Sequence, residues 1–572
     1  MYLKKSKRKN GRVYLSVADG YHDPQKGHSR TVSVKKIGYL DDFLDLYDDP
    51  VAHFEEEVAR MNAEKKAANR HTPVDIDPAE TFDGDNCKNL GYAAISRVYH
   101  ELEIDKFLGS RQRSIGAKYN LNSVMKLLVF SRLLNPGSKK NAYDNRGQFF
   151  ERFDFTLDDL YRSLTRFNKF REPLQVWMHE RIVAGYGRDT SIIYYDVTNY
   201  YFEIDEQDNL RRKGVSKEHR PDPIVQMGLF MDNSGLPVAY RLFPGNNNDC
   251  TTLLPVLKRI RREFGAGQAI VVADKGMNTA KNAYYLANRR GGYVFSQSVR
   301  GGTKELKEYV LGDSGYERYG DGYKRKSRQF TRHAEFEDEF GVTIKAEIAE
   351  KQVVFYSRNY DMKAKADRAA AVGKATALIN NPDRFNKYNS YGAAKYIKHI
   401  EFDKETGEIV KTKSLLEFDK EKLAEDEKYD GYYVIVTSRH NAKDEWIIDT
   451  YKELWRIEET FKVTKSELET RPVYVSRDDH IEAHFLTCFV ALLIVRLMQK
   501  KLGGRHSAAK ILDGLANTRC SNLENNLYIS HYNDETVRDI GDVFGIDFRK
   551  KYRTLSEIKK IIASSKINKS SQ

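Results

Sequence analysis

Cysteine is scarce. Cys87, Cys250, Cys488 and Cys520 are the only four in 572 residues, and they are widely separated with no C-x-x-C pair. That spacing argues against a disulfide framework and against a structural zinc site. Long apolar runs are also missing. The longest, Phe485 to Val495, is broken by Arg496 and falls short of the roughly 20 residues needed to cross a bilayer. The basic stretch Met1 to Arg12 is followed by no apolar core of the signal-peptide kind. These absences predict a soluble cytoplasmic protein with no membrane partner. No internal repeat is visible.

What is present is ample material for packed cores, 40% hydrophobic and 12% aromatic, in a chain long enough for three or four domains. Lys and Arg number 95 against 82 Asp and Glu, a formal charge of +13, which favours a polyanionic partner. The charge is laid out in blocks. Residues 1–40 hold ten Lys/Arg and two Asp, while residues 41–58 hold eight acids and no Lys or Arg. The tail after Arg549 is basic again, with Glu557 its only acid.

Patterning divides the chain into seven stretches. Residues 1–64 carry short strands (Val13–Val17, Thr31–Val34) and an acidic helical segment. Residues 65–90 read as a polar linker. Residues 91–188 have helical periodicity, with Val124, Leu127, Leu128, Ser131 and Leu134 on one face. Two further helices are predicted there, Thr156–Phe167 and Pro173–Ala184. This region reads equally as DNA-binding or as a helical packing domain. Residues 189–296 give three strands, a helix headed by Asp249, the wholly apolar strand Ala269–Ala273, a helix, and a strand. That is the order of an RNase H-like α/β core. Residues 297–443 read as a β-rich insertion that does not continue the core. Residues 444–500 hold one long helix, about Glu445 to Leu468, and an apolar helix, Ile481 to Gln499; residues 501–572 form a basic C-terminal region.

Three acids stand where an acid is costly. Asp196 lies inside the strand Ser191–Thr198, and Asp274 follows Ala269–Ala273 directly. A buried carboxylate needs a partner or a metal, and the C-terminal ends of central strands are where open α/β sheets place their sites. In the predicted long helix, Ile447, Tyr451, Leu454, Trp455, Glu458, Phe461, Lys465 and Leu468 fall on one stripe. Glu458 then points with the apolar face and Glu459 toward solvent. Carboxylates without cysteine or clustered histidine favour Mg²⁺, with Mn²⁺ as substitute. Two such ions would serve phosphodiester chemistry. Paired carboxylates also serve glycosidases, but nothing else here suggests a sugar cleft.

At these residues the chain resembles the DDE-type transposases of bacterial insertion sequences, in the branch with the Y-x2-R-x3-E-x6-K signature. Tyr451, Glu458 and Lys465 match in register; the Arg position is Leu454, with Arg456 two residues on. Tyr194-Tyr-Asp196-Val-Thr and Val271-Val-Ala-Asp274-Lys-Gly resemble the family's first and second Asp strands. Gly214–Asp222, Gly235-Leu-Pro237, Pro244–Asp249 and Ser131–Lys139 are also similar, and the likeness covers roughly residues 90–500. The resemblance implies an RNase H-like core with a β-rich insertion before the Glu, and catalysis by Asp196, Asp274 and Glu458 through two Mg²⁺ ions. It implies binding to terminal inverted repeats as a synaptic homodimer, nicking, and strand transfer into target DNA. It also implies DNA contacts by Tyr451 and Lys465. Arg456 and the basic loop with Arg211, Arg212, Lys213, Lys217 and Arg220 are further candidates. A nuclease that cuts without joining, and a domesticated DNA-binding regulator, are the alternatives.

Overall fold

The computed structural model describes residues 1–23, 28–68, 86–218, 220–288, 291–387, 390–402, 409–410, 416–523 and 526–567. The chain forms two compact units, Met1–Phe82 and Asp83–Gln572. In the first, strands β1 (Tyr2–Lys7), β2 (Val13–Asp23) and β3 (His28–Tyr39) make an antiparallel sheet, and helix α1 (Pro50–Ala68) packs on it. Leu15, Val17, Phe54 and Val58 are buried. Most of the expected linker, residues 69–85, lies outside the described residues. Its end does not behave as a linker, because β4 (Cys87–Asn89) is a sheet strand.

The second unit opens with helices α2 (Tyr92–Glu101), α3 (Ile104–Ile115), α4 (Leu121–Leu134), α5 (Lys139–Asp144) and α6 (Leu157–Tyr186). Where two helices were expected around Pro173, α6 runs unbroken for 30 residues with the proline inside it. The buried positions Leu164, Phe167, Leu174, Met178 and Ile182 continue one stripe across the missing N–H, so packing carries the helix through.

There follow β5 (Ile192–Tyr201), β6 (Ile224–Asp232), β7 (Pro237–Pro244), α7 (Leu253–Glu263), β8 (Ile270–Ala273), α8 (Ala280–Ala287), β9 (Tyr293–Gln297) and α9 (Lys304–Leu311). Asp249 does not cap α7: the N-cap is Thr252, and it makes no side-chain cap bond. The next elements are β10 (Glu317–Tyr319), β11 (Tyr323–Glu337), β12 (Thr343–Ser357), α10 (Arg358–Asn380), β13 (Ile397–Lys398), β14 (Glu417–Phe418), α11 (Lys420–Glu427) and β15 (Tyr432–Thr437). One nine-stranded sheet results, in the order β10-β11-β12-β15-β9-β8-β5-β6-β7. Among the described residues, only β5–β8 and β8–β9 pair in parallel. The stretch read as a separate insertion is thus in part an extension of the core sheet, because β15 pairs with β9 and recruits β12 and β11. A small separate core around Ala375, Leu378, Tyr396 and Ile397 holds α10 to its neighbours.

The expected single helix from Glu445 is two, α12 (Asp444–Lys452) and α13 (Trp455–Lys465), with a turn at Glu453–Leu454. Helix α14 (Asp478–Lys501) is long and apolar enough to span a membrane by composition, but 94% of its most apolar window is buried. It packs against α6 and α4 as the centre of the helical layer. The chain ends with α15 (Ala508–Asn517), β16 (Arg519–Asn522), β17 (Leu527–Ser530), α16 (Glu535–Phe544), β18 (Tyr552–Thr554) and α17 (Leu555–Ser565). These return to the start of the unit, β16 pairing with β4 and α17 packing on α2.

Candidate active site

The sheet sorts its side chains by parity. Ile193, Tyr195 and Val197 of β5 join the core shared with α7 and α8, as do Val271 and Ala273 of β8. Tyr194 and Tyr200 join the opposite core, with Val272, Val294 and the α12–α14 residues Ile447, Ile457, Phe461 and Phe485. Asp196 therefore faces the α12–α14 side. Tyr195 pairs with Ala273 across the parallel strands, so Asp196, within β5, and Asp274, just past the end of β8, follow side by side, about 5 Å apart across the sheet. The Ser296 hydroxyl of β9 donates to Asp274 Oδ1 at 2.8 Å, and the Tyr451 hydroxyl approaches the same oxygen at 3.3 Å. Asp274 also accepts the Lys275 N–H at 2.6 Å, heading a short 3-10 turn.

Asp196 keeps a fifth of its side chain exposed. Burial pushes its carboxyl up to about 6; Lys217 and the Val197 N–H offset this in part, and the charges of Asp274 and Glu458 add to it. Lys217 Nζ lies 3.7 Å from Asp196 Oδ1, leaving the three acids with little balancing charge. Tyr451 is held neutral by burial and by Tyr433 and Asp274 beside it. Among the described residues no three acid, His or Cys side chains are already closed into a metal cage. The donor set is nonetheless one of oxygen anions that repel each other, which suits a hard divalent cation.

The helix-borne part of the site departs from the expected stripe. Leu454, Ile457, Phe461 and Leu468 are buried, but Glu458 is exposed and Trp455 is 52% exposed. The break before α13 re-phases the helix, so Glu458 borders the carboxylates from the open side rather than from the packed face. Glu459, expected in solvent, instead meets the buried Arg496 of α14 at 3.4 Å. Glu459 is therefore engaged in helix packing.

The basic candidates are dispersed among acids. Lys465 pairs with Glu218 at 3.0 Å and lies over Tyr200. Arg456 pairs with Glu453 at 2.6 Å, and Arg211 with Asp208 at 2.5 Å. Arg220 stacks on Tyr201 and reaches Glu203 at 3.7 Å. Arg212 is half-buried and Lys213 exposed on the same loop.

Two groups escaped the sequence reading. Arg471 shares Glu218 with Lys465. Behind it, Arg132 donates to the carbonyls of Leu468, Glu469 and Gly137, while Lys139 donates to His484 Nδ1 at 2.5 Å. His484 Nε2 in turn donates to the Thr470 carbonyl at 2.8 Å. This clamp pins the turn that follows α13. Its signal was Ser131–Lys139, two cations around Pro136-Gly137 with no acid beside them.

Residues 211–494 match the family model for the transposase DDE domain. The match contains Asp274 and Glu458 and begins after Asp196. No curated protein matches the chain. Among solved structures, the piggyBac transposase synaptic complex with hairpin DNA aligns over 84% of this chain and 85% of that one, at 8% identity and a TM-score of 0.37. The family match spans just under half of the chain, and over it the chain is similar to transposase DDE domains.

Proposed function

We propose that the protein is a DNA transposase that binds element ends, hydrolyses phosphodiester bonds and joins the resulting 3′ ends to target DNA, with Asp196, Asp274 and Glu458 as its catalytic carboxylates. The observation that carries this reading is the placement of Asp196, within β5, beside Asp274, just past the end of the parallel β8, with Glu458 close enough to add to the upward push on the Asp196 carboxyl. The order β7-β6-β5-β8-β9, antiparallel over the first three strands and parallel over the last three, supports an RNase H-like core.

Mg²⁺ or Mn²⁺ ions at these oxygens would supply an activated nucleophile and charge stabilisation at the leaving oxygen. The chain's own part is to hold the oxygens still. Ser296 and Tyr451 orient Asp274, and Lys217 tempers the charge at Asp196. Lys465 and Arg471, now shared by Glu218, can exchange that acid for a backbone phosphate, with Arg456, Arg211, Arg212, Lys213, Lys217 and Arg220 extending the basic track. A homodimer would then hold two ends together.

The test uses purified protein, labelled element ends and supercoiled target in Mg²⁺. Joined products are expected. Cutting without joining would make the protein a nuclease, and binding without either would make it a regulator.

A further inference from the structure

The N-terminal sheet sorts its charges by face. On the side covered by α1, Lys5 pairs with Glu55 at 3.1 Å and Lys35 with Glu57 at 2.7 Å. Asp19 on that side meets Lys65 at 2.5 Å and the N-terminal amine at 3.4 Å. The acidic block that follows residue 40 thus neutralises one face of the basic block before it.

The other face is built from three rows of cross-strand partners: Tyr2, Ala18 and Ser33; Lys4, Ser16 and Lys36; Ser6, Tyr14 and Tyr39. Ser16 and the buried Ala18 occupy its middle, and register shifts between β2 and β3 at Leu15/Ser16 and Val17/Ala18 bend it. Lys4 and Lys36 are exposed at opposite edges of one row, and exposed Arg8 lies 4.7 Å over the Tyr14 ring. Among the described residues, no acid pairs with any of these three. Arg12, over Tyr39, is the exception, being neutralised by Asp41 and Asp42.

We propose that this open face, through Lys4, Arg8 and Lys36, docks duplex DNA in the major groove. The inference rests on the reading of the chain as a DNA-acting protein, and it names a surface which that reading does not. The axes of three strands span about 10 Å, too wide for a minor groove of about 6 Å, whereas the face can lie across the mouth of a major groove of about 12 Å. Cations at both edges would meet the phosphates on either side of the groove, while Ser6, Ser16 and Ser33 face the base edges.

The experiment compares two double variants of the full chain, Lys4→Ala/Lys36→Ala on the open face and Lys5→Ala/Lys35→Ala on the helix face, with Ser16→Glu as a third. Fluorescent random-sequence duplex and single-stranded oligonucleotides are titrated over a salt series, with thermal melting to check folding. The open-face pair should lose about tenfold or more in duplex affinity. Its slope of log K against log[salt] should be shallower by about 1.8, at about 0.9 per lost phosphate contact. Ser16→Glu should weaken duplex binding at least as much, and the helix-face pair should match the parent. Equal losses in both pairs, no loss in the open-face pair, or a larger loss for single strands would each overturn the proposal. Parent protein that neither nicks nor joins DNA, yet loses duplex affinity on the open-face substitutions, would sink the transposase reading and leave this one standing.

Discussion

Asp196 and Glu458 carry the same charge in opposite surroundings. Asp196 sits on β5, hydrogen-bonded in register to β6 on one side and close after the last β8 pair on the other. Glu458 is exposed on a helix that begins at a turn. The strand end of the site is fixed by backbone ladders. The helix end has no strand ladder and is held by packing and side-chain bonds: Ile457 and Phe461 beneath it, Glu459 and Arg496 behind it, and the Arg132–Lys139–His484 clamp beyond it. On the function proposed above, the two aspartates would set the fixed point of the site, and Glu458 would be the carboxylate free to adjust to metal and DNA.

The largest effect should come from the fixed end. Asp196→Asn or Asp274→Asn should take Mg²⁺-dependent plasmid nicking below detection. In chelator these variants should melt at or above the parent, because removing one charge relieves repulsion among the acids. Adding Mg²⁺ should raise the parent's melting point, by the equivalent of about 2.7 kcal/mol at a hundredfold excess over Kd, and leave the variants unmoved. A variant that still nicks, or that melts higher in Mg²⁺ as the parent does, would remove the aspartates from the site.

At the adjustable end the neighbouring glutamates should separate activity from stability. Glu458→Gln should abolish cleavage and leave the melting point within about 0.5 kcal/mol, as befits an exposed side chain. Glu459→Gln should keep cleavage and lose about 1–2 kcal/mol. It leaves Arg496 buried without its carboxylate, although solvent at the 39% exposed Glu459 screens part of that pair. Cleavage assays beside chemical denaturation decide it, and an inactive, fully stable Glu459→Gln would reverse the assignment. Tyr451→Phe should be milder, slowing cleavage about tenfold, the equivalent of one lost hydrogen bond to Asp274. A rate equal to the parent's would show that the hydroxyl is idle.

The same contrast explains how much could be seen in advance. The placement of the aspartates was legible because an acid within the apolar strand Ile192–Tyr201, or directly after Ile270–Ala273, stands out whatever the neighbouring elements do. Helical phase is more fragile. A phase advancing by about 100° per residue fails once the chain breaks at Glu453–Leu454, and nothing in Lys-Glu-Leu-Trp marks that break. Glu459 was misplaced for the same reason. The extension of the sheet through β15 and the reach of Arg132 to residues 468 and 469 are long-range pairings, which local periodicity does not encode. Pro173 misled in the other direction, since tertiary packing overrode a helix-breaking signal.

The smallest effect concerns the anchor of the helix end. Lys139 is buried on His484 and forms no ion pair among the described residues, and burial followed by the nearby Arg132 charge lowers its ammonium from 10.5 to about 7. His484 is likewise held neutral, by burial and then by Lys139 and Arg132. In the unfolded chain Lys139 keeps its proton up to about 10.5. Between about 7 and 10.5 the unfolded state therefore binds more protons than the folded state, and stability contributed at this site rises with pH, by at most about 1.4 kcal/mol per unit. Lys139→Met keeps the length and removes the charge. It leaves His484 Nδ1 without a donor, a cost of about 1–3 kcal/mol, but one that does not vary across this range. The difference between parent and variant should therefore widen in the parent's favour from pH 7 to pH 9 in denaturant melts. Cleavage by the folded variant should persist, since Asp196 and Asp274 are held from the other side. A constant difference across that range would mean that Lys139 stays charged in the folded protein, and that the turn after α13 is held by a permanent cation.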